Sequence, residues 1–486
     1  MSNSELLSFD VTALSEQVRS KRISPVEITD AYLNRIEETD SRLRAYITVT
    51  AEHARTSAKT AENEIAGGKW RGPFHGIPVA LKDLCYTKGI LTTGGSKIFA
   101  NLVPDFDCTV WARLQAAGAV LLGKLNLHEF AAGATTTNPH FGACRNPYAL
   151  DRIPGGSSGG SAAAIVAHSA AATIGTDTGG SIRIPAAFCG CVGMKQTWSR
   201  VSRYGVMPLA DSLDHAGPIT RTVRDAALML QKIAGHDPND PTSSREEVPD
   251  FSNAIARSLK GARIGVIREL MEGLSNDVAS CFQVAMTKFR ESGASVDEVS
   301  IPSINQAPAI ATSITFAEAA EFHENWIRSR PQDYGFDVRR TLEAGMLTPA
   351  MYYVRAQRAR AVILAEALAA LENRIALVAP TASIAAPRIA AIQPETALSG
   401  RANTLGIERK LPTTPTERVD LVSAVLRFTA PFNITGQPAL ALPIGLSPDG
   451  LPLSMQIIGR PFDEATVFQV ASAYEQARGA LPDPKL

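Results

Sequence analysis

Two clusters of small residues have the types and spacing to do chemistry. They are Gly155-Gly156-Ser157-Ser158-Gly159-Gly160-Ser161 and Thr178-Gly179-Gly180-Ser181, both between Pro154 and Pro185. Glycine has no Cβ, so the backbone there can approach a ligand closely or take unusual dihedrals. Serines set between glycines present hydroxyls beside bare N–H groups, which suits a nucleophile and an oxyanion hole. Three other readings fit less well. A flexible Gly/Ser linker does not enclose an apolar Ala/Ile/Val run or end in Ile182-Arg183-Ile184-Pro185, as this stretch does. A phosphate-binding loop needs Lys-Ser or Lys-Thr after its last glycine, and neither cluster has one. A G-x-S-x-G elbow matches at Ser157 and at Ser158, but that motif calls for a strand before it and a histidine late in the chain. Asp151-Arg152-Ile153-Pro154 is a poor strand and the last histidine is His323. A serine nucleophile here must find a different base.

Lysine can serve, since Ser–Lys variants of the catalytic triad dispense with histidine. Val79-Ala80-Leu81 predicts a short buried strand running into Lys82. The plain alternative is a surface lysine paired with Asp83. The apolar lead-in favours burial, which disfavours the ammonium and lets a neutral amine accept a proton near neutral pH.

Taken together these residues resemble the amidase signature family. Its signature joins a Gly-Gly-Ser-Ser-Gly-Gly-Ser cluster to Gly-Thr-Asp-x-Gly-Gly-Ser-Ile-Arg, here at 155–161 and 175–183. It also has a lysine in Gly-Ile-Pro-x-x-x-Lys-Asp, here at 76–83. The resemblance implies an α/β fold, a large mixed twisted β-sheet covered on both faces by α-helices. It implies Ser181 as nucleophile, Ser157 as a bridging serine after a cis Gly156–Ser157 peptide bond, and Lys82 as base. Backbone N–H groups of Thr178, Gly179, Gly180 and Ser181 would form the oxyanion hole, so Gly179→Val and Gly180→Val are both expected to be severe. Phe130, Ala131, Ser158 and Arg183 are expected at the substrate pocket. Core packing explains the Phe130 segment equally well, and Arg183 would meet either a substrate carboxylate or the loop carrying Ser157.

The implied activity is a serine hydrolase that cleaves the C–N bond of small carboxylic amides, with anilides and carbamates as candidates, through an acyl-enzyme on Ser181. The alternative is the A subunit of a tRNA-dependent glutamine amidotransferase, which the sequence also resembles. Such subunits usually carry a carboxylate just before a Pro-x-Asn segment near the C-terminus. Here residues 421–430, ahead of Pro431-Phe432-Asn433, hold none. The resemblance also hints at a homodimer. No cofactor and no metal are expected.

The rest of the chain must position these groups. Its 486 residues, 45% hydrophobic, suffice for a large core. We expect an N-terminal helical region over 1–70 and a catalytic α/β domain over 71–486, with variable insertions around 303–347 and 388–420, the second a lid or surface loop. Ser24-Pro25-Val26-Glu27 predicts a capped helix start, 51–65 a second helix, and 162–175 a buried Ala-rich helix. Strands are expected at 119–123, 264–267, 296–301 and 375–379, and a hairpin around Asp449-Gly450. Lys+Arg and Asp+Glu number 48 each, so no bias toward nucleic acid or an anionic membrane appears. His128-Glu129 fails the zinc motif H-E-x-x-H because Ala132 stands where the second histidine belongs. Six sparse cysteines form no disulfide framework, and Cys189-x-Cys191 is better read as buried free thiols. With no signal-peptide pattern at the N-terminus and no run of about 18 apolar residues, a cytoplasmic enzyme without a membrane or nucleic-acid partner is expected.

Overall fold

Eleven strands make one mixed sheet in the computed structural model, which describes residues 3–392 and 419–486. In chain order they are β1 Tyr46–Val49, β2 Pro78–Lys82, β3 Val120–Leu125, β4 Ala172–Thr176, β5 Val192–Lys195, β6 Ala216–Thr220, β7 Arg263–Ile267, β8 Ser295–Val299, β9 Ala376–Pro380, β10 Ala439–Leu446 and β11 Pro452–Ile458. Across the sheet they run β1-β3-β2-β4-β6-β5-β10-β11-β9-β7-β8. Helices flank the sheet. Strands β2, β3 and β4 are buried along their whole length and therefore show no apolar–polar alternation.

The arrangement that matters for the site is the parallel trio β3, β2 and β4. β2 pairs with β4 so that Leu81 lies opposite Ile174. Lys82 and Thr176 thus emerge together at the carboxyl ends of neighbouring parallel strands, where open α/β sheets place their ligands.

The capping box forms as the sequence suggests: Ser24 caps helix Pro25–Leu43 and Glu27 reaches back to its amide. The region expected to be helical over 1–70 also contributes β1, the edge strand antiparallel to β3. Four residues between two long helices were too short a segment to reveal that strand. Residues 162–175 are not one helix. The helix is Gly159–Val166, the chain reverses with His168 at φ +57, and β4 follows. An Ala-rich apolar run carries no period that separates buried helix from buried strand. Gly160, in the first turn of that helix, packs against the neighbouring backbone: a Cβ there would lie 2.5 Å from the carbonyl oxygens of Ala45 and Asn126.

Residues 303–347 fold mainly as helices Ala307–Ser329 and Phe336–Met346. The 388–420 insertion lies, from 393 to 418, outside the described residues. Among the described residues no helix is long and apolar enough to cross a membrane.

Candidate active site

Lys82 is fully buried at the end of β2. Its Nζ donates to Ser157 Oγ at 2.6 Å and to Thr176 Oγ1 at 2.7 Å. Burial pushes the amine down to about 7, partly opposed by Cys85, Asp214 and Asp177. Asp83 is not its partner. That carboxylate is buried and turned the other way, 3.4 Å from Lys124 Nζ, and it accepts from the Thr93 amide and hydroxyl at 2.8 and 2.5 Å. The surface-pair alternative for Lys82 therefore does not hold.

The Gly156–Ser157 peptide bond is cis. A Cβ on Gly156 would fall 2.5 Å from the Thr135 nitrogen, so only glycine fits there. The next residue, Ser158, departs from expectation. It is buried, and its hydroxyl donates to Thr176 O and accepts from Thr176 N, both at 3.1 Å. Its own amide donates to Ser181 O at 3.2 Å. Ser158 is spent on stitching the two Gly/Ser clusters together and contributes nothing to a substrate pocket.

The loop from Asp177 to Ser181 is held from behind by a buried polar network. Arg183 donates to both oxygens of Asp177 at 3.0 and 3.1 Å, to Asn433 Oδ1 at 2.7 Å and to Gln456 Oε1 at 2.9 Å. Asn433 Nδ2 donates to Asp177 Oδ1 at 2.8 Å. Burial pushes the Asp177 carboxyl up, but the Arg183 guanidinium outweighs it and holds the group well below the usual carboxylate range. The Arg183 guanidinium is therefore turned into the core toward Asp177, Asn433 and Gln456, away from the Ser157 loop, and does not line the cavity in front of the Asp177–Ser181 loop. The Gly180 amide donates to Asp177 Oδ1 at 2.8 Å, which commits it to the scaffold rather than to an oxyanion. Thr178 Oγ1 donates to Asp214 Oδ1 at 2.5 Å, and burial lifts Asp214 to about 6.

In front of the loop lies a cavity of about 150 Å³. Thr178, Gly179 and Ser181 form its floor, with Ala131–Ala134 on one side. Helix Ala307–Ser329 presents Pro308, Ala311, Thr312, Thr315 and Phe316 at helical spacing, and Leu421, Val422, Leu426 and Ala430 close the far side. Among the described residues, none lining this cavity carries a charge. Ala131 lines this cavity. Phe130 does not: its ring turns into the core, edge-on to Phe99 and 4.4 Å from His323.

The sequence reading passed over Asp177, Asn433, Thr429 and Leu426. Asp177 lies inside the signature segment, and its nearby partner Arg183 is there too, yet nothing local shows that Asn433 joins them from 256 residues downstream. Among the described residues no cluster of His, Cys, Asp or Glu is placed to hold a metal ion. Cys189 and Cys191 are buried free thiols.

Known proteins resemble this chain in sequence and in overall fold. A sequence model described as Amidase matches residues 27–468. The A subunit of the glutamyl-tRNA(Gln) amidotransferase of Geobacter metallireducens is 41% identical over 97% of this chain and 98% of its own. The crystal structure of the corresponding Thermotoga maritima protein superposes with a TM-score of 0.77 at 34% identity, covering 100% of this chain and 98% of that one. A bacterial aryl acylamidase of the amidase signature family superposes with a TM-score of 0.85 at 27% identity, covering 96% of each chain.

Proposed function

The chain belongs to the amidase family and is an enzyme acting on amide C–N bonds; from that premise we propose that it hydrolyses small carboxamides with an uncharged acyl group, through an acyl-enzyme on Ser181. The neutral amine of Lys82 takes the proton of Ser157. Ser157 takes that of Ser181, whose Oγ attacks the carbonyl. The proton returns to the leaving nitrogen, and water then releases the acid by the same relay. The 2.6 Å contact between Lys82 and Ser157 supports the first leg; the Ser157–Ser181 leg belongs to the proposal. The amides of Thr178, Gly179 and Ser181 are the proposed oxyanion donors.

The observation that carries the choice of substrate is that, among the described residues, the cavity lining is uncharged. A free amino acid such as glutamine brings a buried ammonium and carboxylate, and unpaired buried charges are costly. An aliphatic or aryl acyl group has no such need.

A second reading is the glutamine-hydrolysing component of a tRNA-dependent amidotransferase. The curated relatives support it better than the first, at 41% identity over nearly the full length of both chains. Such a protein would work with partner chains. One assay separates the two readings. The purified chain, alone, is given propionamide, benzamide, 4-nitroacetanilide and glutamine, and ammonia or 4-nitroaniline is measured. Faster turnover of glutamine than of every neutral amide would overturn the first reading in favour of the second.

A further inference from the structure

Both edges of one peptide plane in the nucleophile loop are pinned. The Gly179–Gly180 peptide gives its N–H to Asp177 Oδ1 at 2.8 Å, and its carbonyl accepts the Thr429 hydroxyl at 2.6 Å. Thr429 is fully buried, and among the described residues its one other acceptor is the Val425 carbonyl at 3.2 Å, a longer bond within its own helical turn. It packs directly on Gly180, where a Cβ would stand 2.2 Å from the Thr429 hydroxyl oxygen. With that plane locked, the two peptides on either side are set as well. These carry the Gly179 and Ser181 N–H groups, two of the three proposed oxyanion donors.

We infer that Thr429 is a positioning residue, which holds the oxyanion donors by clamping the Gly179 carbonyl. The inference rests on the reading of Ser181 as nucleophile. Thr429 sits at the end of a run that includes the π-helical turn Val422–Leu426, a rare geometry that recurs at functional sites. The same run supplies Leu421, Val422, Leu426 and Ala430 to the cavity wall. A substrate that seats against this wall therefore bears on the element that aims the donors. Acyl-group fit and oxyanion geometry are mechanically joined through one threonine.

The test is the rate of covalent labelling by a fluorophosphonate, which also needs an oxyanion hole, together with kcat and KM for the amide the enzyme turns over best. Thr429→Val keeps the shape and removes the hydroxyl; Thr429→Ser and Thr429→Ala share the loss of the methyl and differ only in the hydroxyl. T429V and T429A are expected to lose about 10- to 100-fold in labelling rate and in kcat, less than the full loss of a donor. KM should stay within about twofold, and T429S should recover most of the rate. Equal rates for T429S and T429A overturn the clamp, even should T429V fail to fold. A wild-type protein that is not labelled at Ser181 overturns the nucleophile reading and the clamp with it, whereas a labelled wild type with an equally fast T429V removes the clamp alone.

Discussion

Lys82 and Ser157 lie 75 residues apart in the chain and 2.6 Å apart in the fold. The amine that makes this contact is shielded from water and faces two hydroxyls, of Ser157 and Thr176, with no carboxylate among its hydrogen-bond partners in the described residues. An ammonium in that setting is poorly solvated, which is why burial pulls its pKa to about 7.

The first prediction concerns this amine. Activity should rise with pH through about 7 as Lys82 loses its proton. Lys82→Ala should lose about 10²- to 10⁴-fold in kcat, the usual span of general acid–base catalysis. Lys82→Arg should stay inactive up to pH 9, since guanidinium does not release its proton. A kcat profile flat from pH 6 to pH 8 would contradict the role.

The same shift has a stability consequence. Because the folded pKa is depressed, the unfolded chain binds more protons between about 7 and about 10.4. The contribution of Lys82 to stability therefore rises with pH across that window, and below it the full penalty of burying the amine applies. Lys82→Met should be more stable than wild type at pH 7, and the gap should close by pH 10 in urea melts.

Neighbouring glycines should respond differently. Gly180 has φ +133 and its added Cβ would meet Thr429 at 2.2 Å, so Gly180→Ala should abolish activity or folding. At Gly179 the nearest atom to an added Cβ is Leu426 Cδ2 at 3.5 Å, an ordinary contact. Gly179→Ala should fold with an unchanged Tm and act by narrowing the cavity. This separates two positions that the sequence presented as alike, and matched Tm losses in both variants would refute it.

Removal of the Asp177–Arg183 pair should be felt in stability and activity together. Arg183→Met leaves a buried carboxylate without its cation, a change that costs about 3–5 kcal/mol. The lowered Asp177 pKa means that the pair stabilises fully above the unfolded value of about 4 and loses its effect as pH falls through the folded one. R183M should therefore differ most from wild type in urea melts at neutral pH, and the difference should shrink in strong acid.

On the proposed reading, the helix Ala307–Ser329, which lines the cavity, limits the size of the acyl group. Ala311→Phe should fill the cavity of about 150 Å³. KM for a benzoyl amide should rise more than about tenfold, while a short amide such as propionamide keeps most of its kcat; a benzoyl substrate with normal KM in that variant would remove Ala311 from the acyl wall.

The sequence alone determined the chemistry on offer and the family: two Gly/Ser clusters, a lysine behind an apolar strand, and the capped helix and hairpin that frame them. These are local signals, carried by residue type and by spacing within a few turns or one strand. Tertiary structure decided which way each side chain turns. β2 and β4 are buried on both faces, so alternation could not say that Lys82 meets Ser157 rather than Asp83. Ser158, Phe130 and Arg183 bear the right types for a pocket, but their partners are drawn from Thr176, His323 and Gln456, up to 273 residues away. Contacts at that separation are set by how the sheet closes, and no short window of sequence holds them.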